Sequence, residues 1–414
     1  IEVELIHMEE RDHKKLGPQL GLFYIDPVVG KGLPMFLPKG ATLKRVLENF
    51  IIEEETKRGY QHVHTPAIAR LELYLKSGHY PHYQDSMYAP IEIDDEKYML
   101  RPMTCPHHFQ LYLSEPRSYR DLPMRIAELA QLYRYEQSGE LMGLQRVRTF
   151  CLADAHIVCV SEEQAMEEID RVLDLIEDIT KVFGLSLGNH YRYRLSLGDR
   201  NNSEKYFKND VAWEKGENLL RNLMKKRGGE FEETPNEAAF YGPKIDIQMK
   251  NTNGKEDTAF TVQYDFCMPE RFDLSYTGED GNRHRAFVVH RSSIGAIERL
   301  IAFLIEHYAG AFPVWLSPVQ VIILPIGDAH QIYAKKILSE LKENGIRTEI
   351  NLDNETLGKK IREAKLQKTP YLIVIGDKEM ESGKLTVETR TEKLENISTA
   401  DFITRIQAEV KEKK

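Results

Sequence analysis

The stretch Arg146-Val147-Arg148-Thr149-Phe150-Cys151-Leu152-Ala153-Asp154-Ala155-His156-Ile157-Val158 decides how the chain is read. A strand's period of two sorts it into two faces. One carries Arg146, Arg148, Phe150, Leu152, Asp154 and His156, and the other Val147, Thr149, Cys151, Ala153, Ala155 and Ile157. The second face suits packing under helices. The first gathers two arginines, an aromatic ring, a carboxylate and an imidazole, the phosphate clamps and stacking plate that a nucleotide needs. A solvated face with cross-strand ion pairs is the alternative. Just upstream, Arg134 and Glu136 share a face of an expected strand at 124–136. The loop between, Gln137-Ser138-Gly139-Glu140-Leu141-Met142-Gly143, has two glycines that let it close over a ligand.

Working outward, Leu43, Val46, Leu47, Phe50 and Ile51 recur at helical spacing across 41–58, and Gly59 stops the run. A capping box, Ser161-x-x-Gln164, opens a second helix reaching Phe183. A third is expected after Ser292, with Ile294, Ile297, Leu300, Ile301, Leu304 and Ile305 on one side. Strands are expected at 124–136, 146–158, 239–249, 257–266 and 284–291, giving an α+β catalytic domain on a mostly antiparallel sheet. The Pro-punctuated segment 312–318 marks a boundary at 315/316. Beyond it, strands at 319–324, 346–351 and 371–375 alternate with helices at 329–344 and 356–367, a small α/β domain. The expected domains are therefore 1–315 and 316–414.

A chain of 414 residues with 41% hydrophobic and 29% charged residues can bury two or three cores, and no apolar run is long enough for a membrane span. Four cysteines without CxxC spacing point to a reducing, cytoplasmic setting. The start at Ile1 leaves room for an upstream segment. A net charge of −9 argues against a broad phosphate-binding coat. The charge is uneven: 17 Lys+Arg against 16 Asp+Glu over 319–414 gives +1, which leaves −10 for the first 318 residues. The tail repels an anionic partner least.

Tyr133-Arg134-Tyr135-Glu136 through Arg146-Val147-Arg148-Thr149-Phe150 resembles motif 2 of the class II aminoacyl-tRNA synthetases. Gly295-Ala296-Ile297-Glu298-Arg299 resembles motif 3, and the first helix with Pro66 resembles motif 1, the dimer-forming element. Within that class, Arg101-Pro102-Met103-Thr104-Cys105-Pro106, Asp154-Ala155-His156, Ala239-Phe240-Tyr241-Gly242-Pro243-Lys244 and Val289-His290-Arg291 are similar to the threonyl-tRNA synthetase family. In the tail, Ile361-Arg362-Glu363 and Gly376-Asp377-Lys378-Glu379-Met380-Glu381-Ser382-Gly383-Lys384 are similar to its anticodon-binding domain. The likeness runs from Arg11-Asp12-His13 to the C-terminus.

The resemblance implies an ATP-dependent ligase that forms threonyl-adenylate and passes threonine to tRNA(Thr), with Mg2+ accompanying ATP. It implies one catalytic Zn2+ per chain on Cys105, His156 and His290, which spacing alone does not suggest, and reads His107 and His108 as neighbours. Zinc with an open position is chelated by the amino and hydroxyl groups of threonine but not by valine. Serine is rejected weakly by binding, so an editing step is expected in a domain upstream of these residues. Arg134 is assigned to the α-phosphate and substrate carboxylate, and Arg146 to the outer phosphates. Arg299 is assigned to the γ-phosphate and to adenine, stacked opposite Phe150, and Glu136 to the adenine amino group.

Asp154, Met103, Tyr241 and Gln263 are assigned to the amino acid, and Lys244 and His79 to the active site. Many relatives carry Gln and Asp where this chain has Leu152 and Ala153; alternation turns only Leu152 toward the site. In the tail, Lys359, Lys360, Arg362, Lys365 and Lys368 crowd one helical stretch, and Asn354, Arg362, Glu381 and Arg390 are candidate tRNA contacts. A homodimer follows from motif 1. A prolyl- or glycyl-specific relative would not need the Cys105, His156 and His290 set, and a non-catalytic regulator is expected to have lost a motif arginine or a ligand.

Overall fold

The computed structural model describes residues 11–228, 230–251, 254 and 256–414; the first ten residues of the expected catalytic domain lie outside these. Two compact units emerge. One comprises the described residues up to Tyr24, Met35–Leu47 and Phe303–Lys414, and the other Ile25–Pro34 and Glu48–Ala302. Among the described residues, no helix is long and apolar enough to cross a membrane.

In the larger unit, among the described residues, eight strands form one sheet: β1 (Gln61–His62), β2 (Met124–Tyr133), β3 (Thr149–Cys159), β4 (Tyr191–Ser196), β5 (Phe231–Thr234), β6 (Lys244–Lys250), β7 (Glu256–Asp265) and β8 (Phe287–Ala296). Their order is β5-β4-β6-β7-β8-β3-β2-β1. The five inner pairings are antiparallel and the two edge pairings parallel. Antiparallel pairing lets one face be covered while the other stays open to a ligand.

The helices longer than seven residues that precede the tail are, in chain order, α1 (Pro38–Lys57), α2 (Cys105–Leu113), α3 (Glu162–Val182), α4 (Asp210–Arg227) and α5 (Ile297–His307). α1 starts three residues before the expected position, at a proline whose missing N–H a first turn does not need. α3 buries Ile169, Val172, Leu173, Ile176 and Ile179; each contributes about 1.5–3 kcal/mol. At its start Ser161 Oγ accepts from Gln164 N at 3.2 Å, while the Gln164 side chain accepts from Val160 N at 2.9 Å, one residue upstream of the expected box partner. Under this helix lie Cys151, Ala153, Ala155 and Ile157 of β3, all buried.

One expected helix start is corrected. The chain stays in β8 through Ala296, with a break in register after Ser292, and turns into α5 only at Ile297. Gly295 makes the break possible. Its φ is +63°, and a Cβ there would lie 2.1 Å from the Ala259 carbonyl oxygen. Likewise 239–243 forms a turn rather than the start of a strand, and the strand expected from 146 begins at Thr149.

In the tail, β9 (Val321–Pro325), α6 (Gln331–Glu343), β10 (Thr348–Ile350), α7 (Leu357–Leu366) and β11 (Tyr371–Ile375) alternate as expected, then β12 (Leu385–Glu388), β13 (Lys393–Ile397) and α8 (Thr399–Lys411) complete the fold. The sheet order is β10-β9-β11-β12-β13, parallel for the first three strands and antiparallel beyond. Val321, Ile323, Ile373 and Ile375 pack under α6 and α8, whereas Leu324 and Leu372 pack under α7. Burial on both faces is why β9 and β11 read as continuous apolar runs.

Candidate active site

Inner strands of the larger sheet open onto one cavity of about 510 Å3. His79, Met103, Cys105, Arg134, Glu136, Arg146, Phe150, Asp154, His156, Tyr241, Lys244, Gln263, His290 and Arg299 all line it. Sheet register does the gathering. His156 on β3 and His290 on β8 are direct cross-strand partners, with ring centroids 4.6 Å apart and planes at 84°. Cys105 is the first residue of α2. Its sulfur and one nitrogen from each ring lie within 4.8 Å of one another.

Each imidazole is held through its other nitrogen. His290 Nε2 lies 2.6 Å from Asp265 Oδ2, and Asp265 Oδ1 accepts from the backbone of Cys267 and Met268. His156 Nδ1 lies 2.8 Å from His108 Nδ1, and His108 Nε2 lies 3.2 Å from Glu128 Oε2. Burial drives the Cys105 thiol up, reinforced by Asp154 and Asp265; burial and the neighbouring His290 and His108 drive His156 well down. One cysteine sulfur and two imidazoles around one centre fit Zn2+, which takes cysteine as thiolate and histidine as neutral imidazole, and three protein ligands leave a position open. Beside them, His79 Nδ1 is 2.7 Å from Ser77 Oγ and Nε2 is 3.7 Å from Cys105 Sγ. Burial lowers His79 to about 3, so its imidazole is neutral.

The cationic part of the cavity is built from the residue that follows β2, the segment that leads into β3, and α5. Arg134 Nε donates to the Pro102 carbonyl at 3.1 Å, and its guanidinium sits 5.2 Å from the Phe150 ring. Arg299 donates to the carbonyls of Gln145 at 2.9 Å and Thr258 at 2.6 Å. Burial weakens its hold on its proton, and Arg146 and Arg134 add to this against the pull of Asp257. Arg146 lies 3.6 Å from Glu140 and is half exposed. Arg148, expected on the same face, does not line the cavity: it donates to the Glu136 carbonyl and stacks 4.7 Å from Tyr135. Alternation fails there because the residue precedes the strand.

Leu152 lines the cavity, and Ala153 is buried on the opposite face. Tyr241 stacks on His290 at 4.6 Å and 21°, and its hydroxyl donates to Gln263 Oε1. Lys244 Nζ is 2.9 Å from Asp246, which is fully buried. Burial pushes the Asp154 carboxyl up against the pull of His108 and His290. Sequence reasoning missed Asp265, Glu128, Ser77 and Arg291. Arg291 lines the cavity while pairing with Glu55 at 2.6 Å and stacking 4.1 Å from Tyr60. For none of these did spacing give a sign.

In the tail, Asn354, Arg362 and Glu381 are exposed. Arg390 donates to the carbonyls of Ala311 at 3.0 Å, Phe312 at 2.6 Å and Lys368. The basic run is split: α7 ends at Leu366, which leaves Lys368 beyond the helix, and Lys359, Arg362, Lys365 and Lys368 are exposed, but Lys360 is buried and donates to the Pro325 carbonyl at 3.2 Å.

Residues 88–308 match the family described as tRNA synthetase class II core domain (G, H, P, S and T), and residues 320–409 match the anticodon binding domain. The chain is 50% identical over 410 residues to the threonine–tRNA ligase of Geobacillus sp. strain WCH70, covering 99% of this chain and 63% of that protein. It is 49% identical over 405 residues to threonine–tRNA ligase 1 of Bacillus subtilis strain 168, covering 97% and 62%. It thus spans less than two thirds of these relatives. The crystal structure described as the RNA binding domain of threonyl-tRNA synthetase from Cryptosporidium parvum Iowa II superposes with a TM-score of 0.90 at 34% identity, covering 96% of this chain and 98% of that one.

Proposed function

Because this chain belongs to the class II tRNA synthetase core family and carries an anticodon-binding domain, we propose that it activates threonine with ATP and transfers it to tRNA(Thr). The observation that carries the reading is the convergence of Cys105, His156 and His290 in the cavity that Arg134, Arg146 and Arg299 also line. The catalytic domain runs to 315 and the anticodon-binding domain from 316, between the two stretches matched by the families.

Activation joins a carboxylate oxygen of threonine to the α-phosphorus of ATP, and the bond to pyrophosphate breaks. This is chiefly positioning and charge neutralisation. Arg134 binds the α-phosphate and the substrate carboxylate, and Arg146 and Arg299 bind the outer phosphates alongside Mg2+. Adenine stacks between Phe150 and Arg299, and Glu136 accepts from its amino group. In the transfer step a terminal ribose hydroxyl of the tRNA attacks the activated carbonyl and AMP leaves. His79, a neutral imidazole, is suited to take the hydroxyl proton, and Lys244, steadied by Asp246, offsets negative charge on the phosphate.

Cys105, His156 and His290 would hold Zn2+, which when bound supplies coordination positions for the α-amino and β-hydroxyl groups of threonine. Asp154 accepts a hydrogen bond from one of those groups, and the Tyr241–Gln263 pair and Met103 close around the side chain. Valine matches threonine in shape but offers a single donor, and polar discrimination of this kind exceeds what a methyl-sized pocket gives. Asn354, Arg362 and Glu381 meet the tRNA, and Arg390 orders the segment behind them. The protein works in the cytoplasm as a homodimer formed through α1.

The test is amino-acid-dependent pyrophosphate exchange. Threonine drives it strongly, serine weakly, and valine and proline not at all. Equal exchange with valine overturns the reading.

A further inference from the structure

We propose that Glu128 and His108 form a proton-ordered relay that fixes His156 in its Nδ1–H tautomer and thereby turns the Nε2 lone pair toward the metal. The inference rests on the metal reading above and assigns positioning roles to two residues outside the three ligands.

The order of the protons follows from what each atom is able to do. Glu128 accepts from Thr65 N at 3.1 Å, Thr65 Oγ1 at 2.7 Å and Arg101 Nη2 at 3.0 Å. Burial opposes its ionisation, but the hydrogen bonds from His108 and Thr65 and the Arg101 charge hold it at about 2. The carboxylate is therefore only an acceptor. His108 Nε2, 3.2 Å from Glu128 Oε2, must carry a hydrogen. His156 can meet a metal only through Nε2, because its Nδ1 lies 2.8 Å from His108 Nδ1; a bare Nε2 leaves the ring's hydrogen on Nδ1 and makes His108 Nδ1 its acceptor.

The fold explains why an imidazole stands between carboxylate and ligand. On β2 the residue opposite His156 is Ile126, and Glu128 pairs with Asp154 instead. His108, on α2 and fully buried, spans the gap. The second histidine ligand needs no such bridge, since Asp265 meets His290 Nε2 directly at 2.6 Å. The two rings are thus clamped through opposite nitrogens, so that His156 would hold the metal through Nε2 and His290 through Nδ1. Partners of this kind set ligand orientation and basicity.

The experiment measures zinc affinity of the purified chain by chelator competition, alongside proton–nitrogen NMR of the metal-free wild type with labelled histidine. The account expects His108→Leu to weaken zinc binding by about 10–100-fold. His108→Asn, which keeps an accepting oxygen beside His156 Nδ1, should stay within about threefold of wild type. NMR should find His156 protonated on Nδ1 and His108 on Nε2. Wild-type affinity in the leucine variant, or His156 protonated on Nε2, overturns the relay. If the leucine variant does not fold, the wild-type NMR decides alone. If the wild type binds no zinc at all, the metal reading itself falls, a result distinct from a metal-binding wild type whose affinity ignores residue 108.

Discussion

Replacing Gly295 by alanine places a methyl carbon 2.1 Å from the Ala259 carbonyl oxygen, at a residue whose φ is +63°. A left-handed backbone costs a residue with a side chain roughly 1–2 kcal/mol, and forcing a methyl group into a packed site costs about 1–3 kcal/mol more. A loss of about 3 kcal/mol is expected, lowering the melting temperature of a unit this size by about 6–12 °C. The consequence reaches the cavity. Thr258, next to the displaced Ala259, provides the carbonyl that Arg299 binds at 2.6 Å, and Gln145 provides the other. Loosening one charge-assisted hydrogen bond should weaken ATP binding about tenfold, equivalent to about 1.4 kcal/mol. Differential scanning calorimetry with and without ATP reads both effects. Gly139→Ala is the control, because a methyl group there meets nothing within 4 Å, and it should shift stability by less than about 0.5 kcal/mol. A Gly295→Ala protein that melts with the control and binds ATP like wild type would refute the reasoning.

Asp265→Asn keeps an oxygen for the Cys267 and Met268 N–H groups but turns an N–H2 toward His290 Nε2, moving the ring's proton to Nδ1; chelator competition should show zinc affinity falling about 10–100-fold with little loss of fold. Glu128 is depressed from 4.5 to about 2, so its stabilising contribution is present above about 4.5 and is lost as pH falls toward about 2. Acid titration followed by circular dichroism should show that loss in wild type and a flatter profile in Glu128→Gln. Leu152→Gln adds a hydrogen-bonding group to the cavity wall. In rapid-quench assays, transfer should rise by up to about fivefold, the worth of about 1 kcal/mol, while pyrophosphate exchange changes little.

How much of this was legible in the sequence depends on which interactions are local. Alternation in 149–158 is local, and it correctly turned Phe150, Leu152, Asp154 and His156 to one side. It could not say where the strand begins, so Arg148 was expected in a cavity it does not line. Apolar spacing gave α1 and α3, but it read Ile294 as helical because a period of 3.6 does not register a glycine-permitted break. Residues 191–196 alternate Tyr, Arg, Tyr, Arg, Leu, Ser, a legible strand absent from the expectations, with Tyr191, Tyr193 and Leu195 buried. The edge strand Phe231–Thr234 carries no such pattern. His156 and His290, 134 positions apart, meet through sheet register, and only resemblance to a family reached them from sequence. The contacts of Glu128, Asp265 and His108 depend on side-chain direction, which spacing does not encode. The Lys360 side chain turns inward for the same reason, and the apparent basic face of α7 is narrower than its composition suggests.

X-ray absorption at the zinc edge on the purified, zinc-loaded chain reads the ligand set of Cys105, His156 and His290 itself. The expected spectrum shows one metal per chain with one sulfur at about 2.3 Å and two imidazole nitrogens at about 2.0–2.1 Å, the remaining position taken by a light atom that threonine replaces. A spectrum with no sulfur neighbour, or a chain that holds no zinc, would contradict that ligand set.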